Sequence, residues 1–404
     1  MESHFKNLPE NFNFAPVISL RRDLIMINEV YITRLSKFLP NRPVENDQME
    51  NFLGLINGKP SKAKRIILRN NQITQRYYAI DDNGNLTHNN AQLTAEAIRK
   101  LFDSEFSLHD MELLACGTTS PDQTLPSHAS MVHGELGGKP VEIISPSGSC
   151  ATGMHAMKFA YLAVKSGENK NAVCSGSELF SIMMQAGKFE KETENLHLLD
   201  QNPILAFEKE FLRWMLSDGA GAALLQNKPN RDGVSLRIDW IESVSYAGQL
   251  ETCMYSGGEK LPDGSVKGWK EFDPEDILNK SLFSLHQDVK LLGENIYQTS
   301  NLFLAGIVKK RNLDLDEIDY FLPHISSEYF RPRIDQDSRE KGVHIPQQKW
   351  FTNLTRLGNV GAASIYFMLE ELFHSGSLKK GYKLLLGIPE SARFSYVYAL
   401  LTVV

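Results

Sequence analysis

Residues 145–178, SPSGSCATGMHAMKFAYLAVKSGENKNAVCSGSE, decide how the rest of the chain is read. Small, turn-forming residues deliver Cys150 at the point where a helical pattern begins. Met154, Met157, Ala160, Tyr161 and Val164 recur at three- and four-residue spacing, while Lys158 and Lys165 fall on another face. The spacing predicts a buried helix that stops at Ser166-Gly167, followed by a short buried strand through Ala172-Val173-Cys174. A thiol at a helix N-terminus faces unpaired backbone N–H groups and the positive end of the helix dipole, and both favour thiolate. Cys150 is therefore a candidate nucleophile. The competing reading is a small apolar residue that starts a core helix.

The totals narrow what such a cysteine serves. At 404 residues the chain has room for two core-bearing units. Its 42% hydrophobic and 23% charged residues are those of an ordinary globular protein. It holds no apolar run of the ~18 residues that a membrane span needs. The first residues, MESHFKNLPENFNF, lack the regions of a secretory signal, so a cytoplasmic location is expected. Cys116, Cys150, Cys174 and Cys253 are too scattered for a disulfide framework and contain no zinc-type pair, so neither metal nor cofactor is expected. A formal net charge of -6 argues against a nucleic-acid partner. One basic segment, KAKRIILRNNQITQR at 62–76, makes Arg69 and Arg76 candidates to meet a phosphate-bearing substrate; the alternative is a solvated face.

Along the chain, residues 1–28 read as an extension ahead of a first strand at Val30-Tyr31-Ile32. A helix is expected over 91–102, with Thr94 as N-cap, then a strand over 111–115 running into Gly117-Thr118-Thr119-Ser120. The stretch 185–214 has no clear pattern. Asp218-Gly219-Ala220-Gly221-Ala222 lacks the lysine and the following helix of a phosphate loop, so it reads as close backbone packing at the start of an apolar strand.

The second half then echoes the first. LHDMELLACGTTS from Leu108 matches LDEIDYFLPHISS from Leu315 in acidic turn, apolar strand and small polar exit, which sets His324 opposite Gly117. Cys150 precedes Ser166 by 16 residues (166 − 150), and Asn359 precedes Ser375 by 16 (375 − 359). The competing reading is chance similarity of two amphipathic helices; agreement of two blocks in the same order favours duplication, with halves at 29–229 and 230–404. Strands alternating with helices in each half give an α/β fold with parallel-rich sheets. Ligands of such sheets bind beyond the carboxyl ends of the strands, where Cys150, His324 and Asn359 all fall.

On PSGSCATGM around Cys150, SDGAGAALL from Ser217, LPHISS around His324 and RLGNVGAAS around Asn359, the chain resembles the thiolase superfamily, and within it the β-ketoacyl-acyl-carrier-protein synthase III group. The resemblance spans most of 29–404. It implies a duplicated five-layered α-β-α-β-α fold, a homodimer, and decarboxylative Claisen condensation of acyl thioesters carried by coenzyme A or acyl carrier protein. It also implies Cys150 as the acyl-bearing nucleophile, with His324 and Asn359 donating hydrogen bonds to the second substrate's thioester carbonyl. More narrowly, RIILRNNQITQRYYA and LACGTTSPDQTLPSHASMVHGELG resemble ketosynthases that make dialkylresorcinols or cyclohexanediones. Leu125, before Pro126, matches a family position that reaches the partner subunit's acyl pocket.

The departures are specific. Asn359-Val360-Gly361 and His324-Ile325-Ser326 replace the usual Asn-Thr-Ser and His-Gln-Ala. Ser391-Ala392-Arg393-Phe394 replaces the C-terminal glycine cluster that supplies an oxyanion-hole N–H, which puts Arg393 near the substrate and favours specialised condensation or cyclisation. His128, His133 and His155 read as packed or surface histidines, Glu135 as a candidate extra base or a solvated side chain, and Met154, Met157, Met183 and Met184 as core or tunnel residues. Alternatives to condensation are acyl transfer to a small alcohol or amine, and a non-catalytic ketosynthase partner. A papain-like protease and an α/β-hydrolase are disfavoured, because the sequence around Cys150 fits neither motif.

Overall fold

The computed structural model describes residues 27–189 and 211–404, so nearly all of the expected extension at 1–28 and much of 185–214 lie outside the described residues. Nine strands make the main sheet: Tyr31–Phe38 (β1), Leu113–Thr118 (β2), Glu142–Ile144 (β3), Asn171–Glu178 (β4), Gly219–Gln226 (β5), Leu236–Ser245 (β6), Tyr320–Pro323 (β7), Lys383–Glu390 (β8) and Ser395–Val403 (β9). Their order is β7-β8-β9-β6-β1-β5-β4-β2-β3. At the centre β1 meets β6 through only Tyr31–Arg237 and Ile32–Leu236, so the sheet is close to being two sheets joined at one corner.

Pairing on the two sides follows one pattern. β1 runs antiparallel to β5, β5 antiparallel to β4, and β4 and β3 both run parallel to β2. β6 runs antiparallel to β9, β9 antiparallel to β8, and β8 parallel to β7. A single parallel bridge, Phe321–Trp350, stands where β3 stands on the other side.

Six helices complete the layers: Asn90–Arg99 (α1), His128–Leu136 (α2), Thr152–Ser166 (α3), Val289–Arg311 (α4), Arg331–Glu340 (α5) and Ser364–His374 (α6). α3 and α6 form the middle layer. Met154, Met157 and Val164 from α3 and Ile365, Leu369 and Leu372 from α6 share one core with Ile32, Leu225, Leu386 and Leu401 from both sides of the sheet. α1 and α2 cover one outer face through Leu93, Ala97 and Val132, and α4 covers the other through Leu304 and Ile307. The result is the expected five-layered α-β-α-β-α arrangement. Strands buried on both faces read as continuous apolar runs, as AVC and KLLLG do.

Local chemistry sets the element ends. α3 stops where Gly167 takes φ 84, a left-handed conformation open to glycine. α1 begins one turn before the expected cap, because Asn89 holds the extended conformation a cap requires and forms a capping box with Gln92. Thr94 lies inside that helix and donates its hydroxyl to the Asn90 carbonyl. The DGAGA stretch is close packing, as expected: a Cβ on Gly221 would lie 2.4 Å from Cβ of Tyr366 in α6.

Candidate active site

The nucleophile loop, the end of β7 and the loop before α6 converge on one cavity, whose walls include Cys150, His324 and Asn359. Cys150 is half-buried, two residues ahead of the first helical residue of α3. His324 follows β7, and its N–H donates to the Gly387 carbonyl at 2.8 Å. Asn359 is clamped by its backbone: its N–H donates to the Met215 carbonyl at 3.0 Å, and its carbonyl accepts from the Ser217 N–H at 2.9 Å. Its Oδ1 accepts from the Gly361 N–H at 3.0 Å, which fixes the amide and leaves Nδ2 as the free donor. Phe180, Phe211, Leu212, Met215 and Leu292 make much of the remaining wall apolar, while Thr119, Ser149, Gln287 and Ser391 supply polar groups.

The charge states follow from burial. His324 is 5% exposed, and burial pushes its imidazole down to about 4, so it is neutral near pH 7 and has one N–H to donate. Cys150 departs from the expectation of a stabilised thiolate. Burial pushes its thiol up to about 12; the Ser149 hydroxyl, donating to Sγ at 3.6 Å, opposes this, and the carboxyls of Glu390 and Glu178 add to it. The physical reason lies in the N–H groups on either side. The Ser149 and Ala151 N–H groups both donate to Oε2 of Glu390, each at 3.3 Å, so an anion already occupies that part of the helix entrance. At rest the sulfur is a thiol.

Glu178 and Glu390 were not singled out from sequence. Glu178 closes β4, is fully buried, and accepts from the Thr119 N–H and hydroxyl, the Ser120 hydroxyl and the Ala362 N–H. Burial pushes its carboxyl up to about 7 against those hydrogen bonds. A glutamate closing an apolar strand, as in AVCSGSE, and another directly before the altered glycine cluster were the available signals.

The other nominated residues do not join the cavity wall. Arg76 is fully buried and donates to the Trp214 carbonyl at 2.9 Å and to Asn46, so it holds the loop interior together and is closed to a substrate. Arg69 is exposed on the helix Lys64–Asn71. Leu125 is 83% exposed. Arg393 is also exposed and donates through Nε to the Leu250 carbonyl at 3.4 Å; Ser391, two residues earlier, is the one that faces the cavity. His128 is buried between the hydroxyls of Thr94 and Ser177, and His133 contacts the Lys139 carbonyl. Neither of them, nor His155 or Glu135, lines the cavity. Met154 and Met157 are core residues of α3, and Met183 and Met184 lie off the cavity, where Met215 and Met254 serve instead. Among the described residues, no group of three or more His, Cys, Asp or Glu side chains could hold a metal, and no helix is long and apolar enough to cross a membrane.

The family model for the C-terminal part of 3-oxoacyl-[acyl-carrier-protein] synthase III matches residues 308–387, which contain His324 and Asn359. The β-ketoacyl-[acyl-carrier-protein] synthase III of Clostridium perfringens is 27% identical over 349 residues, 85% of this chain and 90% of that protein. By sequence the chain is similar to β-ketoacyl synthase III-type condensing enzymes, and its fold is that of the thiolase superfamily. Among solved structures, this synthase III-like fold superposes on AbyA1, a tetronic acid condensing enzyme, with TM-score 0.72 and 18% identity, covering 92% of this chain and 99% of that one. It also superposes on Xanthomonas campestris OleA with TM-score 0.70 and 18% identity, covering 94% and 99%. The 3-oxoacyl-[acyl-carrier-protein] synthase III of Aquifex aeolicus gives TM-score 0.64 at 19% identity, covering 92% and 99%. Identities this low speak to the fold alone.

Proposed function

We propose that the chain condenses two acyl thioesters through Cys150. In the first step Sγ attacks the thioester carbonyl; the new C–S bond replaces the old one, and the thiol proton leaves with the pantetheine sulfur. In the second, a malonyl- or β-ketoacyl-type thioester becomes an enolate, by loss of CO2 or of a proton. Its carbon attacks the acyl-enzyme, and Cys150 leaves as thiolate, then takes up a proton from solvent, which has received any proton lost by the donor, to return to the resting thiol. Splitting the reaction this way replaces one hard step by two easier ones.

The observation that carries the reading is the lining of one cavity by a cysteine, a neutral imidazole donor and an amide whose oxygen is already engaged. Donors aimed at developing enolate charge are each worth about 3 kcal/mol, or two to three powers of ten in rate. Ser391-Ala392-Arg393-Phe394 in place of the C-terminal glycine cluster, with Ser391 on the cavity wall and Glu390 bonded to the nucleophile loop, favours a specialised product such as a dialkylresorcinol or cyclohexanedione over ordinary fatty-acid elongation. The reading includes a cytoplasmic homodimer in which exposed Leu125 reaches the partner's acyl pocket.

Intact mass after incubation with acyl-coenzyme A or acyl carrier protein tests the first step: a single adduct is expected in the wild type and none in Cys150→Ala. With a second thioester present, His324→Ala and Asn359→Ala should keep the adduct and lose condensation about 10²- to 10³-fold. An adduct that survives Cys150→Ala would sink the reading, and formation of only an ester or amide would replace condensation by simple acyl transfer.

A further inference from the structure

Glu178 does not itself line the cavity, yet it touches two residues that do. Thr119 and Gly361 share the wall with Cys150 and Asn359. Thr119 comes from the first half of the chain, directly after β2, and Gly361 from the second, in the turn before α6. The Glu178 carboxylate joins them. Its Oε1 accepts from the Thr119 hydroxyl at 2.6 Å and from the Ala362 N–H at 3.0 Å, and its Oε2 accepts from the Ser120 hydroxyl at 2.8 Å and from the Thr119 N–H at 3.2 Å. All of these partners are neutral. Burying a carboxylate without a cation is costly, so a residue that merely ended β4 would be better apolar.

The carboxylate and the turn are closely fitted. Gly361 has φ 45, a left-handed conformation, and a Cβ on it would stand 2.6 Å from Oε1 of Glu178. Ala362 is held from β4 at two points: Glu178 binds its N–H, and a Cβ on Gly176 would lie 2.2 Å from its carbonyl oxygen. The Gly361 N–H donates in turn to Oδ1 of Asn359 at 3.0 Å. The turn that Glu178 grips is therefore the one that orients the Asn359 amide.

We propose that Glu178 is a positioning residue for the second step: by clamping the Gly361-Ala362 turn to the end of β2, it aims Nδ2 of Asn359 at the enolate oxygen. The proposal rests on the condensation through Cys150 argued above. Cys150 stands on a different loop, whose N–H groups are held by Glu390, so loss of the clamp separates the two steps.

The test follows Cys150 acylation by intact mass and condensation by product formation, both at pH 8. Glu178→Met keeps most of the volume and removes both acceptors; its condensation should slow about 10- to 100-fold, with acylation as fast as in the wild type. Glu178→Gln retains one acceptor oxygen for the Ala362 N–H and should recover most of the lost rate. On an Asn359→Ala background Glu178→Met should cost condensation nothing further, because the amide it aims is gone. Gly361→Ala keeps the carboxylate but sets a methyl group against Oε1; it should reproduce the split between the steps, and it carries the test if Glu178→Met does not fold. Four results would overturn the clamp while leaving the condensation standing: parallel losses in acylation and condensation, the same loss on the Asn359→Ala background, a Glu178→Gln as slow as Glu178→Met, or a Glu178→Met that condenses normally. Absence of any Cys150 adduct in the wild type would instead remove the condensation itself.

Discussion

Gly153 is where the nucleophile's position can be tested by adding one methyl group. It lies in the first turn of α3, three residues after Cys150, and a Cβ there would stand 2.3 Å from the Ala362 carbonyl oxygen and 3.0 Å from the Tyr366 ring. The Tyr366 hydroxyl also donates to the Gly153 carbonyl at 2.8 Å, so the two middle-layer segments are tied at this point. Carbon and oxygen tolerate about 3.3 Å, so Gly153→Ala must push the start of α3 away from the loop before α6 by about 1 Å. Overpacking of this kind costs about 1–3 kcal/mol. With about 2.1 cal/mol/K of unfolding entropy per residue, a chain of this length has about 0.85 kcal/mol/K, so the melting temperature should drop by roughly 1–4 °C. A shift near 1 Å at the reacting atom should slow Cys150 acylation by up to about 10²-fold. The assay pairs thermal melting with time-resolved intact mass. Gly134→Ala is the control: it lies within α2 with nothing within 4 Å of its added Cβ, and should stabilise by about 0.5–1 kcal/mol with normal acylation. If Gly153→Ala melts and acylates as the wild type does, close backbone contact in the middle layer does not set the position of Cys150.

Two further outcomes follow from charge and burial. The Glu390 carboxylate raises the Cys150 thiol, so Glu390→Gln, which keeps an acceptor for the Ser149 and Ala151 N–H groups, should lower it. A fall of about one pH unit would speed iodoacetamide labelling about tenfold at pH 8, and an unshifted pH profile would refute the coupling. Arg76→Met leaves the Trp214 carbonyl without its donor in a closed interior and should cost about 1–3 kcal/mol by denaturant unfolding without changing KM for coenzyme A thioesters. Exposed Arg69→Ala should change stability by less than about 0.5 kcal/mol.

The sequence by itself determined the layers. The three- and four-residue rhythm from Met154 to Val164, the apolar AVC and KLLLG runs and the echo of residues 108–120 in 315–327 carry the α/β class and the duplication, because periodicity and repeat are local properties. They also brought Cys150, His324 and Asn359 to notice, each at the end of a strand or the entry to a helix. Tertiary structure alone decided the charge on the sulfur. The helix entrance suggested thiolate, but Glu390, 240 residues away in the chain (390 − 150), takes the neighbouring N–H groups, and burial does the rest. It also decided which arginines are open to solvent, since a basic run looks the same whether Arg76 points inward or Arg69 points out. Asn301, likewise, is one polar residue on an amphipathic helix until the fold encloses its Nδ2 with no hydrogen-bond partner among the described residues. Pattern reports which face of an element is apolar, whereas desolvation and pairing depend on what the opposite half of the chain brings against it.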